Sequence, residues 1–457
     1  MTSASGSKNI DQYLVAGRHA HLVGIGGVSM RPLGLVLSSM GMQISGSDMN
    51  SSVSTDELIA HGITVHIGHS ADNITGADCI IRTAAAHNDN PEIAAARAAG
   101  IPIFERAQAW GHIMRAYRNA ICVAGTHGKT TTTSMITHIF IQAQRDPTVM
   151  IGGFLPLLHA GHRVGRGDTI ILESCEYCNS FLNFYPTAAV ILDVDADHLD
   201  FFKDLADVEQ SFRRFAQLVP ENGVIIANGD DRNTADALRG MAYTTFGFSE
   251  KNCVYGANFS ENFSEFDVFC DGVHYCHMKL GVIGRHNAMN ALAAAATAWR
   301  FGISGEDTAR ALAEFHGAGR RLEYKGSFHG ADVYDDYAHH PGELHALLDA
   351  VRSMGYRRII CAFQPHTYTR TRALFDDFVR ELRTVDVAVL TDIYAAREQN
   401  TVGVSSEDLA REIPDSVYCP SLPEVTAWLR ENAREGDILL TVGAGDIYKA
   451  GDMLLKA

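Results

Sequence analysis

The chain is predicted to be an α/β protein of three consecutive domains, and three observations predict it. Short apolar runs alternate with helical runs from residue 20 onward. A glycine-rich loop joins a β-rich run to a long helical run at residues 119–142. The length of 457 residues exceeds what one core supports, with a prior of about three domains.

In the first unit Ala20-His-Leu-Val23 is a strand entering Gly24-Ile-Gly-Gly-Val-Ser29, and a helix over about 30–40 follows. Gln43-Ile-Ser-Gly-Ser-Asp48 is a second strand, 55–61 a second helix, Cys79-Ile-Ile-Arg-Thr83 a further strand and 91–99 an alanine-rich helix. Strands alternating with helices of this length form a parallel sheet wound by right-handed crossovers. Ligands of such sheets sit at the carboxyl ends of the strands, which makes Gly24, Gly26, Gly27 and Asp48 the first candidates for a nucleotide-type ligand. As a dinucleotide fingerprint the loop is incomplete, because G-x-G-x-x-G requires glycine where Ser29 stands.

The second unit opens with the strand Asn119-Ala-Ile-Cys-Val-Ala124, the loop Gly125-Thr-His-Gly-Lys-Thr-Thr and a helix over 130–142. Strand, glycine turn, lysine, hydroxyl and helix together make a triphosphate cradle. The glycines let backbone N–H groups face phosphate, Lys129 neutralises β and γ oxygens, and Thr130 holds Mg²⁺ at the helix N-terminus. Val123 replaces the first glycine of the longer spacing, so the loop is the short form. Strands over 169–172, 188–192 and 223–227 continue the unit, with a helix over 207–218. Residues 243–280 read as β-hairpins, and a helix follows Gly284-Arg-His-Asn-Ala-Met-Asn290. The third unit opens after Gly317-Ala-Gly-Arg-Arg321, with strands over 331–334, 358–363, 387–390 and 437–442 separated by helices. The resulting domains are 1–118, an N-terminal Rossmann-like parallel sheet; 119–317, a central P-loop ATPase-type α/β domain with added hairpins; and 318–457, a C-terminal Rossmann-like α/β domain.

Composition narrows the function. With 38 basic against 54 acidic residues the formal charge is −16, spread without long acidic blocks. That argues against a nucleic-acid surface or an anionic membrane face. No run of 18 apolar residues exists, and Met1-Thr-Ser-Ala-Ser-Gly-Ser-Lys lacks an apolar leader core, so neither a span nor a signal peptide is expected. Nine scattered cysteines fit reduced thiols in a cytoplasm. Cys175-Glu-Tyr-Cys178 has half of a zinc spacing and Cys270, His274, Cys276 and His277 are close in sequence, but structural zinc is expected at neither.

Glu173 ends a buried-looking strand on the same sheet edge as the phosphate loop, where it can complete a metal shell; Glu176 follows on the loop. Asp195, Asp197 and His198 end the next strand. His198 reads either as a ligand of a second Mg²⁺ or as a structural residue, since Mg²⁺ prefers oxygen. Asn287 and Asn290 lie one turn apart on a helix and suit an adenine edge or a phosphate, though alone they read as helix-start residues. Arg320 and Arg321 stand at the entry to the third domain, where a guanidinium could reach the γ-phosphate. Tyr334-Asp-Asp-Tyr-Ala-His-His-Pro341 and Phe363-Gln-Pro-His-Thr-Tyr-Thr-Arg-Thr-Arg372 bring acids, histidines and arginines to one sheet edge, a place to grip an amino acid.

Gly125-Thr-His-Gly-Lys-Thr-Thr-Thr132, Asp197-His198, Gly284-Arg-His-Asn-Ala-Met-Asn290 and Asp335-Asp-Tyr-Ala-His-His-Pro341 occur in the order and at the spacing of the Mur ligases. The resemblance runs from about residue 20 to 451. Within the family, Gly24 to Met30 with Ser45-Gly-Ser-Asp48, and the two third-domain runs, look like the member that adds L-alanine. It implies an ATP-dependent amide ligase that phosphorylates the lactoyl carboxylate of UDP-N-acetylmuramate and lets L-alanine attack the acyl phosphate. Carried over, Gly125, Thr126, His127, Gly128, Lys129, Thr130 and Thr131 cradle ATP, with Asn287, Asn290, Arg320 and Asp336 also on it. Thr130 and Glu173 hold one Mg²⁺ and His198 serves a second. Lys129, Glu173, His198 and Arg320 carry the catalytic roles. His339, His340, His366 and Arg370 line the alanine and lactoyl end, and Gly26, Gly27, Val28, Ser47, Asp48, His69 and Thr83 the UDP end.

Two departures limit the carry-over. The helix that holds a carbamylated lysine in many Mur ligases offers Arg213 and Arg214 here, so no carbamate is expected, and Thr367 stands where many versions have arginine. The expected protein is a cytoplasmic monomer or homodimer without nucleic-acid partners or membrane insertion. The rival readings are a ligase that joins a preformed tripeptide to the same sugar, an NAD-dependent dehydrogenase built on 24–48, and a silent nucleotide-binding scaffold.

Overall fold

The computed structural model describes residues 9–83, 85–199, 201–396 and 398–456; the reading of the first eight residues as lacking a leader lies outside them. Among the described residues three sheets organise the chain. The first has five parallel strands in the spatial order Thr64–Ile67, Gln43–Asp48, His19–Val23, Cys79–Arg82 and Ile103–Glu105. Its strand order reverses beside His19–Val23, and at such a switch point the crossovers part to leave a ligand crevice. The glycine loop 24–29 leaves that strand, and the helix Met30–Ser39 starts directly after it.

The central sheet has ten strands. Its middle is parallel: Val224–Asn228, Ala188–Ile191, Asn119–Ala124, Thr169–Glu173 and Thr148–Leu155 lie side by side. The middle three are almost wholly buried, which is why they read as unbroken apolar runs. The helix Arg285–Arg300 buries a run of alanines, and these small side chains let it pack closely on the helix Lys129–Gln142. One expectation needs correction. Residues 243–280 are not all hairpin, because Thr244–Gly247 and Val254–Ala257 pair in parallel. The Asp230 carboxylate accepts from Ser249 N at 3.2 Å and from Asn252 Nδ2 at 2.8 Å, holding the connecting loop so that the strand resumes its direction. Only Val254–Ala257, Glu265–Cys270 and Val273–Lys279 form an antiparallel meander. There Cys270 and Cys276 are buried while His274 and His277 are exposed, so the metal-like spacing is split between the two sides of the sheet.

The third sheet has the order Glu323–Phe328, Ala331–Asp336, Asp437–Val442, Arg358–Phe363, Val387–Leu390 and Val417–Tyr418. It is parallel except for its first strand, which runs antiparallel to Ala331–Asp336. Among the described residues no helix is long and apolar enough to cross a membrane.

Candidate active site

The strand Asn119–Ala124 ends in a loop whose backbone demands glycine twice. Gly125 has φ 153° and Gly128 φ 77°, both in the region that side chains rarely adopt. A Cβ at Gly128 would also stand 2.5 Å from Asn290 Oδ1, and one at Gly125 2.8 Å from Leu192 Cβ. The loop is stitched to the neighbouring strand end: Asp195 N donates to Thr126 Oγ1 at 2.8 Å and His127 N to Asp193 Oδ1 at 2.8 Å. The helix Lys129–Gln142 then starts without a side-chain cap, leaving its positive end toward the loop.

Lys129 Nζ donates to Thr126 O at 3.0 Å and to Glu176 Oε2 at 3.1 Å. Burial alone would lower its pKa, but the charge of Glu176, helped by Cys175 and Glu173, holds it above the ordinary lysine value. Thr130 Oγ1 donates to Glu173 Oε1 at 3.1 Å, while Glu173 Oε2 accepts from Gly152 N at 2.7 Å. This hydroxyl and carboxylate are hard oxygen donors beside the phosphate loop, a donor set that fits Mg²⁺ completed by phosphate and water.

From Lys129 a chain of polar groups crosses into the third domain. Glu176 Oε1 lies 3.6 Å from His198 Nε2, which is 3.8 Å from Asp197 Oδ2. Arg370 donates from Nη2 to Asp197 Oδ1 at 3.3 Å, and its Nη1 is 3.3 Å from His366 Nδ1. The Asp197–Arg370 link joins the central domain to the third. Asp197 is held below the carboxylate range: burial opposes this, but His198 and Arg370 outweigh it. The chain borders a cavity of about 560 Å³ lined by Tyr177, His198, His366, Arg370, Leu374 and Glu398, among others. Burial, with His339 and Arg370 adding to it, pulls His366 down to about 4.

A second cavity, of about 320 Å³, borders the loop itself. His127, Gly128, Thr131, Asn287, Asn290, Arg321, Asp336 and Glu343 line it. His127 stands between carboxylates, 3.7 Å from Glu343 and 3.9 Å from Asp195. Burial would lower its pKa, yet these two acids raise it well above the usual imidazole value. Asp336 accepts from Leu322 N and Ala338 N, both at 2.7 Å, and burial pushes it up to about 6.

Several expected residues fall elsewhere. Arg320 does not line the second cavity. Its Nε donates to Asp335 Oδ2 at 2.7 Å and its Nη2 to Gly443 O at 2.7 Å, between the rings of Tyr337 and Tyr448. Positive φ at Arg320 (59°) and Leu322 (46°) turns the backbone so that the neighbouring Arg321 lines the cavity instead. His340 accepts from Gly342 N at 3.2 Å as the cap of the helix Pro341–Arg352, and its ring faces His127 at 5.1 Å. It therefore sits beside the second cavity and not with His366. His339 does approach His366, at 5.8 Å between rings, and Glu343 fixes it by accepting from His339 N at 3.0 Å. Glu343 has no motif of its own in the sequence; its signal is the i, i+4 spacing from His339.

In the first domain Gly26 N donates to Asp48 Oδ2 at 3.0 Å. A Cβ at Gly24 would stand 2.7 Å from the Thr83 methyl, so strand-end neighbours pack directly on the loop. Val28 is 58% exposed at the loop tip. Ser47 is fully buried, and its hydroxyl donates to Glu92 Oε2 at 2.6 Å. The same carboxylate is 3.0 Å from His69 Nδ1, and its other oxygen accepts from Asn73 Nδ2 at 2.6 Å. Ser47 thus lies beneath the crevice, and Glu92 is the central acid that the sequence reading missed.

Comparison with known proteins agrees with this arrangement across all three sheets. The Mur ligase family catalytic domain matches residues 19–118, the Mur ligase middle domain 123–298, and the Mur ligase glutamate ligase domain 320–445. The UDP-N-acetylmuramate–L-alanine ligase of Acetivibrio thermocellus is 44% identical over 449 residues, 96% of each chain. That of Agathobacter rectalis is 46% identical over 448 residues, covering 96% of this chain and 98% of the relative. The crystal structure of the UDP-N-acetylmuramate-alanine ligase of Thermotoga maritima superposes with a TM-score of 0.81 at 29% identity, over 96% of this chain and 98% of that one. The chain belongs to the Mur ligase family.

Proposed function

We propose that this protein joins L-alanine to the lactoyl carboxylate of UDP-N-acetylmuramate, with ATP converted to ADP and phosphate, in peptidoglycan precursor synthesis. The observation that carries this reading is the polar chain Lys129–Glu176–His198–Asp197–Arg370, which links a triphosphate cradle to a substrate-sized cavity in the next domain. In a ligase of this type two reactions must share one γ-phosphoryl group, so cradle and acceptor cavity have to adjoin.

Residues 1–118 hold the UDP group, 119–317 the ATP and 318–457 the amino acid. At the first site Gly26, Gly27, Val28, Asp48, His69 and Thr83 meet the ligand, with Ser47 supporting His69 directly and through Glu92. Gly125 to Thr131 cradle the phosphates, and Lys129 neutralises charge on the transferring phosphoryl as it passes to the lactoyl oxygen. Asn287, Asn290, Asp336 and Arg321 face the nucleotide, while Arg320 fixes the hinge that presents Arg321. Thr130 and Glu173 would hold Mg²⁺, and His198 would serve a second ion near the acyl end. When bound, the metal supplies neutralising charge to the phosphoryl and acyl oxygens. Arg370 and His366 hold the carboxylate end of L-alanine, with His339 behind them and His340 at the phosphate side. The protein forms no covalent link in this scheme; positioning and charge supply the acceleration. The reaction belongs in the cytoplasm, where both nucleotides are at hand.

The test is ADP release by the purified protein with UDP-N-acetylmuramate, ATP and Mg²⁺, alone and then with each amino acid. L-alanine should give sustained release and a lengthened muramyl product. Glycine and L-serine should be poorer, within the 1–3 kcal/mol or so that one small group commands. Sustained release with a tripeptide and none with L-alanine would reverse the assignment.

A further inference from the structure

The cavity beside His198 has two lining carboxylates, Asp197 and Glu398, and they are differently placed. Asp197 is committed, bonded to Arg370 and to its own neighbour His198 N at 2.7 Å. Glu398 has no cationic side chain as partner among the described residues. Each of its oxygens takes one hydrogen bond from Thr369, Oε2 from the backbone N at 2.9 Å and Oε1 from the hydroxyl. These bonds hold the carboxylate against the wall of the cavity and leave a lone pair on each oxygen for another donor. Thr369 immediately precedes Arg370 in the helix Tyr368–Ala373. One short helix thus sets a guanidinium and, through Thr369, a carboxylate at the same cavity. A zwitterion asks for this pairing: arginine for its carboxylate and an anion for its ammonium, because an unpaired charge is costly away from water. Neither histidine that lines the cavity, His198 or His366, has a negative charge to offer, and His366 is already bonded to Arg370.

We propose that Glu398 receives the ammonium group of the incoming L-alanine and accepts the proton that must leave before nitrogen can attack. This rests on the ligase reading above. The ammonium gives one proton to the Glu398 carboxylate and becomes an amine. Its lone pair forms the C–N bond at the acyl carbon of the acyl phosphate, giving a tetrahedral adduct. The C–O bond to phosphate then breaks with its electron pair, and the second nitrogen proton goes to the departing phosphate. Glu398 returns its proton to water. No oxidant, reductant or further reactant is needed.

The experiment compares two nucleophiles on full-length enzyme with UDP-N-acetylmuramate, ATP and Mg²⁺. L-alanine arrives as a cation, whereas hydroxylamine is largely neutral near pH 7 and converts an acyl phosphate to a hydroxamate without a proton acceptor. Glu398→Gln should raise KM for L-alanine roughly 10- to 100-fold, the scale of one lost charged hydrogen bond, and lower the rate of ligation. It should leave hydroxamate formation within about twofold of wild type, well inside the scatter of a surface substitution. Glu398→Asp should recover part of the loss with L-alanine. An unchanged KM for L-alanine in Glu398→Gln overturns the proposal, and so does an equal loss with both nucleophiles. Wild-type enzyme that forms neither hydroxamate nor alanyl product would instead defeat the ligase reading on which it rests.

Discussion

Two strand–glycine–helix turns of the molecule, at residues 24–30 and 124–130, invite comparison, and their difference is one of charge. Both loops follow a parallel strand, and in both a backbone N–H is already taken by an aspartate: Gly26 by Asp48 and His127 by Asp193. Only the second adds a half-buried lysine and a hydroxyl that is itself bonded to a strand-end glutamate. The first has Arg31 nearby, but its guanidinium is held by Glu57 at 2.8 Å. Beneath the first loop lies a buried acid, Glu92, bonded to Ser47, His69 and Asn73. Shape alone makes a crevice at a switch point; the added cation makes a triphosphate site. On the proposed reading, the first loop recognises its ligand by hydrogen bonds and the second by compensating charge.

Removing that cation should have the largest effect. Lys129→Ala should lower turnover by two to three orders of magnitude, on the order of 3–4 kcal/mol of lost charge stabilisation. Binding of UDP-N-acetylmuramate, followed by calorimetry without ATP, should stay unchanged. A variant with wild-type ADP release would erase the distinction between the loops.

The buried acid under the first loop should show itself in stability. Burial pushes the Glu92 carboxyl up, but His21, Ser47 and Asn73 together bring it down from 4.5 to about 2. A depressed folded-state pKa contributes stability above the unfolded value and loses it as pH falls through the folded one, about 3 kcal/mol here. Wild type should thus lose this contribution between about pH 4.5 and 2. Glu92→Gln should lack it at pH 7 and show a flatter pH dependence over that window. Amide exchange in the strand His19–Val23 reads the effect at the right sheet, and identical pH slopes for the two proteins would remove Glu92 from the account.

The sequence makes one of these regions far more legible than the other, for physical reasons. The strands around Lys129 are buried on both faces and read as apolar runs, and their glycines mark an enforced turn. Thr130 and Glu173 follow because strand ends in a parallel sheet converge. The hairpin Thr148–Leu155 with Ala160–Arg163 escaped notice because Gly152, Gly153 and Gly161 interrupt its pattern. The edge strand Ile103–Glu105 is only three residues long. Glu343 carries only its i, i+4 spacing from His339 and Glu398 no local signature, since the third domain's packing decides what they face. Arg320 and Arg321 are adjacent and chemically identical; two positive-φ residues decide which of them reaches the cavity, and nothing in composition encodes that choice.

The smallest expected effect probes the first loop itself. Asp48→Asn keeps an oxygen that can accept from Gly26 N but removes the negative charge, so the loop should hold its shape. If recognition there rests on hydrogen bonds, KM for UDP-N-acetylmuramate should rise only a few-fold, about 1 kcal/mol or less. Asp48→Ala, which frees the Gly26 N–H and leaves the loop unsupported, should cost more, and ATP KM should not move in either. A large loss in Asp48→Asn equal to that in Asp48→Ala would mean that charge governs this loop as well. The two turns would then differ in sign, aspartate against lysine, and no longer in kind.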